Sequence, residues 1–462
     1  MQTTGSLRIS SAAVILMLSA CTGDLATDPG TSVAQRDFAP MAAMGAQRKT
    51  LAEAVGTWND NVTTFGALAQ VPPPVEARMY AMGNVVIHDV MNAVDRRYEP
   101  FAYSGSVSQP VSVEAALATA THDVLAVVGA TLPTPDALQF IDQANADYMG
   151  ELGAGDAIDR GVQLGHAVAA SMLANRAGDG AAGPPVGFFV SSGGPGAYRP
   201  TLAASPDGLS GLRAIPHWGN VRPFVLTSTD QFRPGPMYGA ATVAEAVTTP
   251  AYLADYAEVK RLGGMISERT QDQSDIAIFW IESSAQGWNR IARAIAGQRH
   301  LDAWNLARMM AQMSLAIADG YISVFESKYY FNTWRPVTAI RLGNLNPATP
   351  GDETWDVASM PAGLGPTPPI PEYSSAHAVA ASAAAQAILA NVGGPAPFTV
   401  ESSTLPGKPR SFRSVDAAVK ENADSRVYVG FHFRQATVIG NEQGKKVGQY
   451  VITHSLARVM GK

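Results

Sequence analysis

The chain has 462 residues, a formal net charge of −6 at pH 7 and a single cysteine, Cys21. The acidic balance gives no sign of a nucleic-acid partner, and one cysteine cannot form a disulfide within the chain. By length alone the chain has room for two or three domains. No clean break in composition separates independent cores, so we expect one large domain after the N-terminal region.

An apolar run of small residues, Ser11 to Ala20, follows Arg8 near the N-terminus. The run is too short to span a bilayer as a mature helix and is typical of an export signal. It ends in Leu-Ser-Ala-Cys, which resembles the lipobox of bacterial lipoproteins, whose cysteine is acylated. This resemblance implies a signal peptide over residues 1–20 and a lipid anchor at Cys21, facing the periplasm or the cell surface. The alternative is an ordinary signal peptide with a chance cysteine, and export is expected in both cases.

Residues 21–48 are polar, small and weakly patterned, and we expect them to form a disordered tether. From residue 49 to residue 462, long Ala-rich segments carry apolar residues at helical spacing, with Gly and Pro clusters between them. Few stretches alternate with period two. Thr270 and Gln273 also fit a capping box that opens a helix. These patterns predict an all-α fold for residues 49–462.

The periodicity predicts ten helical segments, of which 300–341 and 416–458 are expected to be interrupted or kinked. Two long Gly/Pro-rich connections, 178–236 and 343–371, are expected to be functional loops. The second leads into the segment that carries the candidate site. The predicted helices lie near 75–97, 113–129, 135–149, 156–176, 241–263, 271–284, 286–298, 300–341, 376–392 and 416–458.

Two cations lie seven residues apart in Lys-Tyr-Tyr-Phe-Asn-Thr-Trp-Arg-Pro, at Lys328 and Arg335. Seven steps of roughly 100° would place both on nearly one face of a helix. A second segment, Pro-Glu-Tyr-Ser-Ser-Ala-His, runs into an Ala-rich helix, so Ser375, Ala376 and His377 are expected at a helix N-terminus. Free backbone N–H groups and the helix dipole favour an oxyanion there.

A third segment, Ser-Arg-Val-Tyr-Val-Gly-Phe-His, places Arg426 and His432 six residues apart. That spacing is roughly 120° around a helix, and Gly430 permits a close backbone approach. Each segment alone is a weak signal, because a single cation on a helix is usually solvated and a single histidine is often a satisfied core residue. Their joint occurrence in this order predicts a cationic oxyanion pocket.

The three segments resemble, in order, the Lys-x6-Arg-Pro, Pro-Ser-Gly-His and Ser-Arg-x3-Gly-x-His-x3-Asp motifs of bacterial vanadium-dependent haloperoxidases. Acid phosphatases of the same type 2 phosphatidic acid phosphatase superfamily share these motifs. The motifs cover Lys328 to Ala436, and stretches 218–224 and 269–293 are also similar to exported haloperoxidase-like proteins. The resemblance implies a large helical bundle with its motif core at about 300–460.

The resemblance also implies a vanadate cofactor and an enzyme that uses hydrogen peroxide to oxidise halide to hypohalous acid, which halogenates an organic acceptor. His432 would be the axial vanadium ligand, His377 the acid–base group, and Lys328 the cation that polarises the peroxide. Phosphate could occupy the same pocket. The residues expected to surround the vanadate are Lys328, Arg335, Ser375, Ala376, His377, Arg426 and His432.

This sequence departs from the motifs at three positions. Ala436 stands where the last motif has Asp, the group that would orient the His432 ring, so a backbone carbonyl or a water is expected to replace it. Ser374 replaces the Pro of the second motif. Ala376 replaces its Gly but still supplies a backbone N–H.

Aromatic or His residues beside the vanadate are associated with halide choice in this family. The candidates here are Phe325, one turn before Lys328, with Trp334 and Ile370. Ile370 stands where Phe or His often occurs, so bromide or iodide is expected rather than chloride.

Two other functions remain open from the sequence. In an acid phosphatase, His432 would be the nucleophile that forms a phosphohistidine, and His377 would protonate the leaving oxygen. Ala436 weighs against this function, because a nucleophilic histidine needs an orienting partner. The third candidate is a non-catalytic lipoprotein that only binds oxyanions. Relatives are often oligomeric, but no residue here decides the oligomeric state.

Overall fold

The computed structural model describes residues 50–132, 135–202, 204–343, 348–358 and 367–460. The predicted signal peptide, Cys21 and the predicted tether lie outside the described residues, and so does part of the connection 343–371.

Five helices form the first third of the described chain. Four of them match predicted segments, but the first was missed. That helix begins with a capping box in which Thr50 and Glu53 bond reciprocally, and its buried face carries Trp58, Val62 and Phe65 at helical spacing. The helices are α1 (Leu51–Ala69), α2 (Pro73–Val94), α3 (Val113–Gly129), α4 (Asp136–Leu152) and α5 (Asp156–Arg176).

The predicted loop 178–236 contains a two-stranded antiparallel hairpin, in which Val186 pairs with Ala214. After it, the helix predicted over 241–263 is divided, because Thr249 caps a new helix that has Pro250 in its first turn. The elements of this region are β1 (Val186–Val190), β2 (Ser210–Ala214), α6 (Val243–Ala246), α7 (Pro250–Leu262), α8 (Gln271–Phe279) and α9 (Ser284–Gln298).

Both helices expected to be interrupted are interrupted. The first ends at Asn332, whose φ of 49° is left-handed and closes the helix, and Pro336 opens the next one. The second is broken over residues 429–433, where Gly430 has a φ of 82°. The elements are α10 (Ala303–Phe331), α11 (Pro336–Arg341), α12 (Ala376–Val392), β3 (Phe398–Ser402), β4 (Leu405–Phe412), α13 (Val415–Tyr428) and α14 (Arg434–His454).

Helix α10 is buried on nearly every side between Leu306 and Phe325, as expected of a central helix. It packs against α2, α12 and α14. Helix α14 approaches α12 through Gly440, Gly444 and Gly448, one on each successive turn. A Cβ at any of the three would overlap a backbone carbonyl of residues 375–383, so the glycines set how closely α14 can lie against the start of α12.

The predicted all-α class is confirmed, since the sheets in the described part of the chain are two small hairpins on a helical structure. The organisation of residues 49–462 as one domain stays a prediction. Within the described ranges, no helix combines the length and the apolar character needed to cross a membrane.

Candidate anion-binding active site

Four chain segments converge on one pocket with a cavity volume of about 60 Å³. They are the end of α10, the residue before α11, the start of α12, and the end of α13 with the connection that follows it. Six of the predicted site residues line this pocket: Lys328, Arg335, Ala376, His377, Arg426 and His432. The rest of its wall is mostly apolar, formed by Pro73, Pro74, Ile281, Tyr321, Phe325, Pro368, Ile370 and Phe431.

Lys328 and Arg335 do not share a helix face, contrary to the prediction from their spacing. Lys328 lies in the last turn of α10, the chain turns at Asn332, and Arg335 precedes α11. The two cations converge because both bind the segment before α12. Lys328 Nζ donates to the carbonyls of residues 371 and 372, at 3.0 and 2.8 Å, and Arg335 Nε donates to the carbonyl of Ile370 at 2.9 Å.

Arg426 and His432 are likewise not on one helix. Arg426 lies in the last turn of α13, and His432 follows the turn at Gly430. A Cβ at Gly430 would overlap the carbonyl of Gly263, so this turn needs glycine for space as well as for its φ. The backbone N–H groups of Phe431 and His432 both donate to the carbonyl of Arg426, which folds the histidine back towards the arginine.

The start of α12 is built as predicted. Ser375 is the N-cap, and Ala376 is the first residue of the helix, where a Cβ adds no strain. Ser374, which replaces the usual Pro, donates from its hydroxyl to Gln443 Oε1 at 2.6 Å. The same glutamine amide donates to Ser323 and Ser327. The motif is thereby joined to α14 and α10.

His377 is held by the carbonyl of Glu282, which lies 3.2 Å from its Nε2. A carbonyl oxygen only accepts, so Nε2 carries the proton of the neutral ring and the lone pair is on Nδ1. Burial, followed by the charge of Arg426, holds the pKa of His377 well below its usual value. A neutral ring with one free lone pair can accept a proton and return it.

His432 lies between a cation and a carboxylate. Its Nε2 is 3.1 Å from Arg335 Nη1, and its Nδ1 is 3.0 Å from Glu372 Oε1. Burial, followed by the charges of Arg335 and Lys328, holds the pKa of His432 well below its usual value. The neutral imidazole therefore turns one nitrogen to the pocket cations and the other to Glu372.

Glu372 is a residue of this site that the motifs did not single out. It is fully buried, and its Oε1 also accepts the backbone N–H of Phe433 at 3.0 Å. Burial raises the pKa of Glu372 to about 7, while the charges of Lys328 and Arg335 act in the opposite direction. Glu372 is the only acidic residue in the segment Pro-Glu-Tyr-Ser-Ser-Ala-His, which marks it as unusual in the sequence. No spacing rule, however, connects it with a histidine sixty positions later.

The pocket residues fit a tetrahedral oxyanion such as vanadate. Lys328, Arg335 and Arg426 are at most 1% exposed and line the same pocket, so an oxyanion bound there would be stabilised by all three charges. The buried hydroxyl of Ser375 has no hydrogen-bond partner in the described part of the chain. The orphan N–H groups of the first turn of α12 lie beside that hydroxyl. These groups, with His432, are the ones that would hold vanadate.

Two of the three predicted halide-pocket residues, Phe325 and Ile370, line the pocket. Trp334, the third, does not line it. Its side chain is 3% exposed and belongs to a separate hydrophobic cluster around Tyr252 and Phe433. The helix break at Asn332 turns it away from the face that carries Lys328.

Comparisons with known proteins agree with this description. Residues 308–461 match the family model of the VCPO second helical-bundle domain. A bacterial vanadium-dependent iodoperoxidase superposes with a TM-score of 0.71 at 24% identity, over 90% of this chain and 99% of that one. A holo-type bacterial vanadium-dependent chloroperoxidase superposes with a TM-score of 0.63 at 18% identity, over 89% of this chain and 99% of that one. An apo-type bacterial vanadium-dependent chloroperoxidase superposes with a TM-score of 0.60 at 16% identity, over 82% of this chain and 93% of that one. A comparison with curated protein sequences finds no match.

The described chain thus has the fold of the bacterial vanadium-dependent haloperoxidases. Its C-terminal part, residues 308–461, is similar to the VCPO second helical-bundle domain, and this stretch contains the three motifs.

Proposed function

We propose that this protein is a vanadate-dependent haloperoxidase that uses hydrogen peroxide to oxidise halide to hypohalous acid. The observation that carries the proposal is the convergence of three buried cations, His377 and His432 on one pocket at the start of α12. Bound vanadate would supply Lewis-acid activation of peroxide for a two-electron oxidation of halide. The relatives that share the fold include an iodoperoxidase and a chloroperoxidase.

The protein's own groups have separate tasks in this reaction. His377 Nδ1 takes a proton from the incoming peroxide and returns it to the oxygen that leaves as water. Lys328 Nζ supplies positive charge where negative charge develops on the peroxide oxygens. Arg335, Arg426 and the start of α12 bind and neutralise the oxyanion. In the overall balance, one peroxide, one halide and one proton give one hypohalous acid and one water.

We propose bromide or iodide as the halide, rather than chloride. The pocket wall near the cations is formed by Phe325, Ile370 and Phe431, and Ile370 offers no hydrogen-bond donor. Chloride is the most strongly hydrated of the three ions, so it loses most when it enters an apolar wall.

An acid phosphatase inhibited by vanadate is the second candidate, and Glu372 favours it. The sequence argued against this function because Ala436 removes the usual partner of the nucleophilic histidine. Glu372 accepts from His432 Nδ1, so that objection no longer holds. In this reaction His432 Nε2 would attack phosphorus and displace the alcohol, and water would then hydrolyse the phosphohistidine.

One assay distinguishes the candidates. The purified protein is given peroxide with iodide or bromide, with and without orthovanadate, and is assayed in parallel with a phosphate monoester. A haloperoxidase oxidises halide only with vanadate and loses this activity in His432→Ala. A phosphatase cleaves the ester, and vanadate inhibits it. Anion binding with neither activity would identify a binding protein.

We further propose that the protein is exported and carries a lipid at Cys21, on the lipobox resemblance alone. Cys21→Ala should abolish incorporation of a labelled fatty acid and release the protein from the membrane fraction. An unlabelled wild-type protein would contradict the anchor.

A further inference from the structure

We propose that Glu372 is the positioning residue for His432 and takes the place of the aspartate that this chain lacks at position 436. The inference rests on the proposed function only where vanadate affinity is concerned. The orientation of the ring is a property of the protein alone. The juxtaposition that carries it is His432 between Arg335 on one side and Glu372 on the other.

The two neighbours of His432 fix its tautomer. A guanidinium group has donors and no acceptor, so His432 Nε2, 3.1 Å from Arg335 Nη1, must present its lone pair. The proton of the neutral ring is then on Nδ1, which donates to Glu372 Oε1 at 3.0 Å. The lone pair on Nε2 is therefore directed towards the cationic pocket, where a ligand to an electrophilic centre is needed.

Position 436 supplies no substitute. Ala436 is fully buried in the cluster around Phe433, and its carbonyl oxygen already accepts the backbone N–H of Ser375 at 3.0 Å. The carbonyl of residue 436 thus serves the start of α12, and the acceptor at His432 Nδ1 is the Glu372 carboxylate rather than the backbone carbonyl or water expected from the sequence.

Glu372 is itself held on both sides. Its backbone N–H donates to the carbonyl of Thr333 at 3.0 Å, and its own carbonyl accepts from Lys328 Nζ. Its carboxylate is fixed by the N–H of Phe433, next to the histidine. The same residue therefore connects the lysine of the first motif with the histidine of the third, and its position sets the distance between them.

The second carboxylate oxygen of Glu372 is buried and has no hydrogen-bond partner among the described residues. If this position served only to fill space in the core, an apolar side chain of the same size would be more stable there than a carboxylate with an unpaired oxygen. The carboxylate is placed for its effect on the imidazole, since an acceptor at Nδ1 makes Nε2 a better ligand.

The test uses two substitutions at this position. Glu372→Met keeps the length of the side chain and removes the acceptor, whereas Glu372→Gln keeps a carbonyl acceptor and removes the charge. Glu76 provides the matched control, because it is also a buried glutamate, held by the Tyr80 hydroxyl at 2.6 Å and by Ser283, and it does not line the pocket. The corresponding controls are Glu76→Met and Glu76→Gln.

Two measurements are made on the full-length protein. The first is the tautomer of His432 without vanadate, from nitrogen NMR of protein labelled at its eight histidines, with His432→Gln to identify the signal. The second is the dissociation constant of orthovanadate, measured by equilibrium dialysis.

In the wild type we expect His432 protonated at Nδ1. Glu372→Met should lose this tautomer preference and bind vanadate about 10- to 100-fold more weakly, the usual cost of removing a group that orients a metal ligand. Glu372→Gln should keep the tautomer and lose less affinity. The Glu76 variants should match the wild type in both measurements.

An unchanged tautomer and a dissociation constant within twofold of wild type in Glu372→Met would overturn the proposal. So would an equal loss in Glu76→Met, because the effect would then come from any buried glutamate. If Glu372→Met does not fold, protonation of His432 at Nε2 in the wild type overturns it. If the wild type binds no vanadate, the proposed function fails, and the tautomer alone decides the role of Glu372.

Discussion

The ammonium group of Lys328 donates to the backbone carbonyl of Glu372 at 2.8 Å, while the carboxylate of Glu372 lies 3.0 Å from His432 Nδ1. A cation at the end of α10 and a histidine after α13 are thus attached to the same residue. Since Lys328 is fully buried, its charge acts at short range in a medium of low dielectric constant.

Lys328→Met should therefore weaken orthovanadate binding without unfolding the protein. A hydrogen bond to a charged group contributes about 1.5–3 kcal/mol, which corresponds to a roughly 10- to 100-fold larger dissociation constant. Equilibrium dialysis measures the affinity, and circular dichroism checks the fold. Lys445→Met, on the exposed side of α14, is the control. Wild-type affinity in Lys328→Met would exclude the lysine from the anion site.

The contact between α12 and α14 gives a prediction about stability. Gly444→Ala places a Cβ against the carbonyl of Val379 and should lower the free energy of unfolding by about 1–3 kcal/mol, the usual cost of overpacking. Gly150→Ala is the control, because this exposed glycine of α4 has open space around it. It should be neutral or raise stability by up to about 1 kcal/mol. Urea unfolding measures the free energy of unfolding of both variants. Equal changes in Gly444→Ala and Gly150→Ala would show that α14 does not lie this close to α12.

Glu76 gives a prediction about pH. Burial raises the pKa of this carboxyl from 4.5 to about 7 in the folded protein. The folded state therefore holds the proton more tightly, and stability falls as pH rises from about 4.5 to about 7. At about 1.4 kcal/mol per pKa unit, the loss is roughly 3 kcal/mol. Glu76→Gln cannot ionise, so its unfolding free energy should vary less over this range. If the unfolding free energies of the wild type and Glu76→Gln change equally with pH, the raised pKa of Glu76 is contradicted.

Ile370 provides a test of halide choice. Ile370→His adds a donor to the apolar wall that can replace part of the hydration of chloride. Because a net hydrogen bond contributes about 1 kcal/mol, we expect the ratio of chloride to iodide kcat/KM to rise about fivefold. Ile370→Val keeps the wall apolar and should leave the ratio unchanged. A ratio that does not respond to histidine would place halide selection elsewhere.

Most of the helices and most of the site could be predicted from the sequence, because both depend on local patterns. The helix over 376–392 was predicted with the bounds that the structure has, since its Ala-rich run begins at an N-cap and ends at Gly393. The three motifs correctly grouped six of the residues that line the pocket.

What the sequence could not predict depends on turns and on distant contacts. Helical spacing suggested a shared face for Lys328 and Arg335, but the left-handed residue Asn332 ends the helix between them. The two cations still meet, because carbonyls of residues 370–372 bind both. The role of Glu372 depends on a contact across sixty positions, which no local period contains.

Vanadate bound in this pocket is expected to be required for the oxidation of halide by peroxide. The most direct measurement is a titration of vanadate-free protein with orthovanadate, following peroxide-dependent iodide oxidation, with His432→Ala treated in parallel. We predict that activity rises from the background, saturates at one vanadate per chain, and stays at the background in the variant. Iodide oxidation that is independent of vanadate, or that persists in His432→Ala, would contradict the claim.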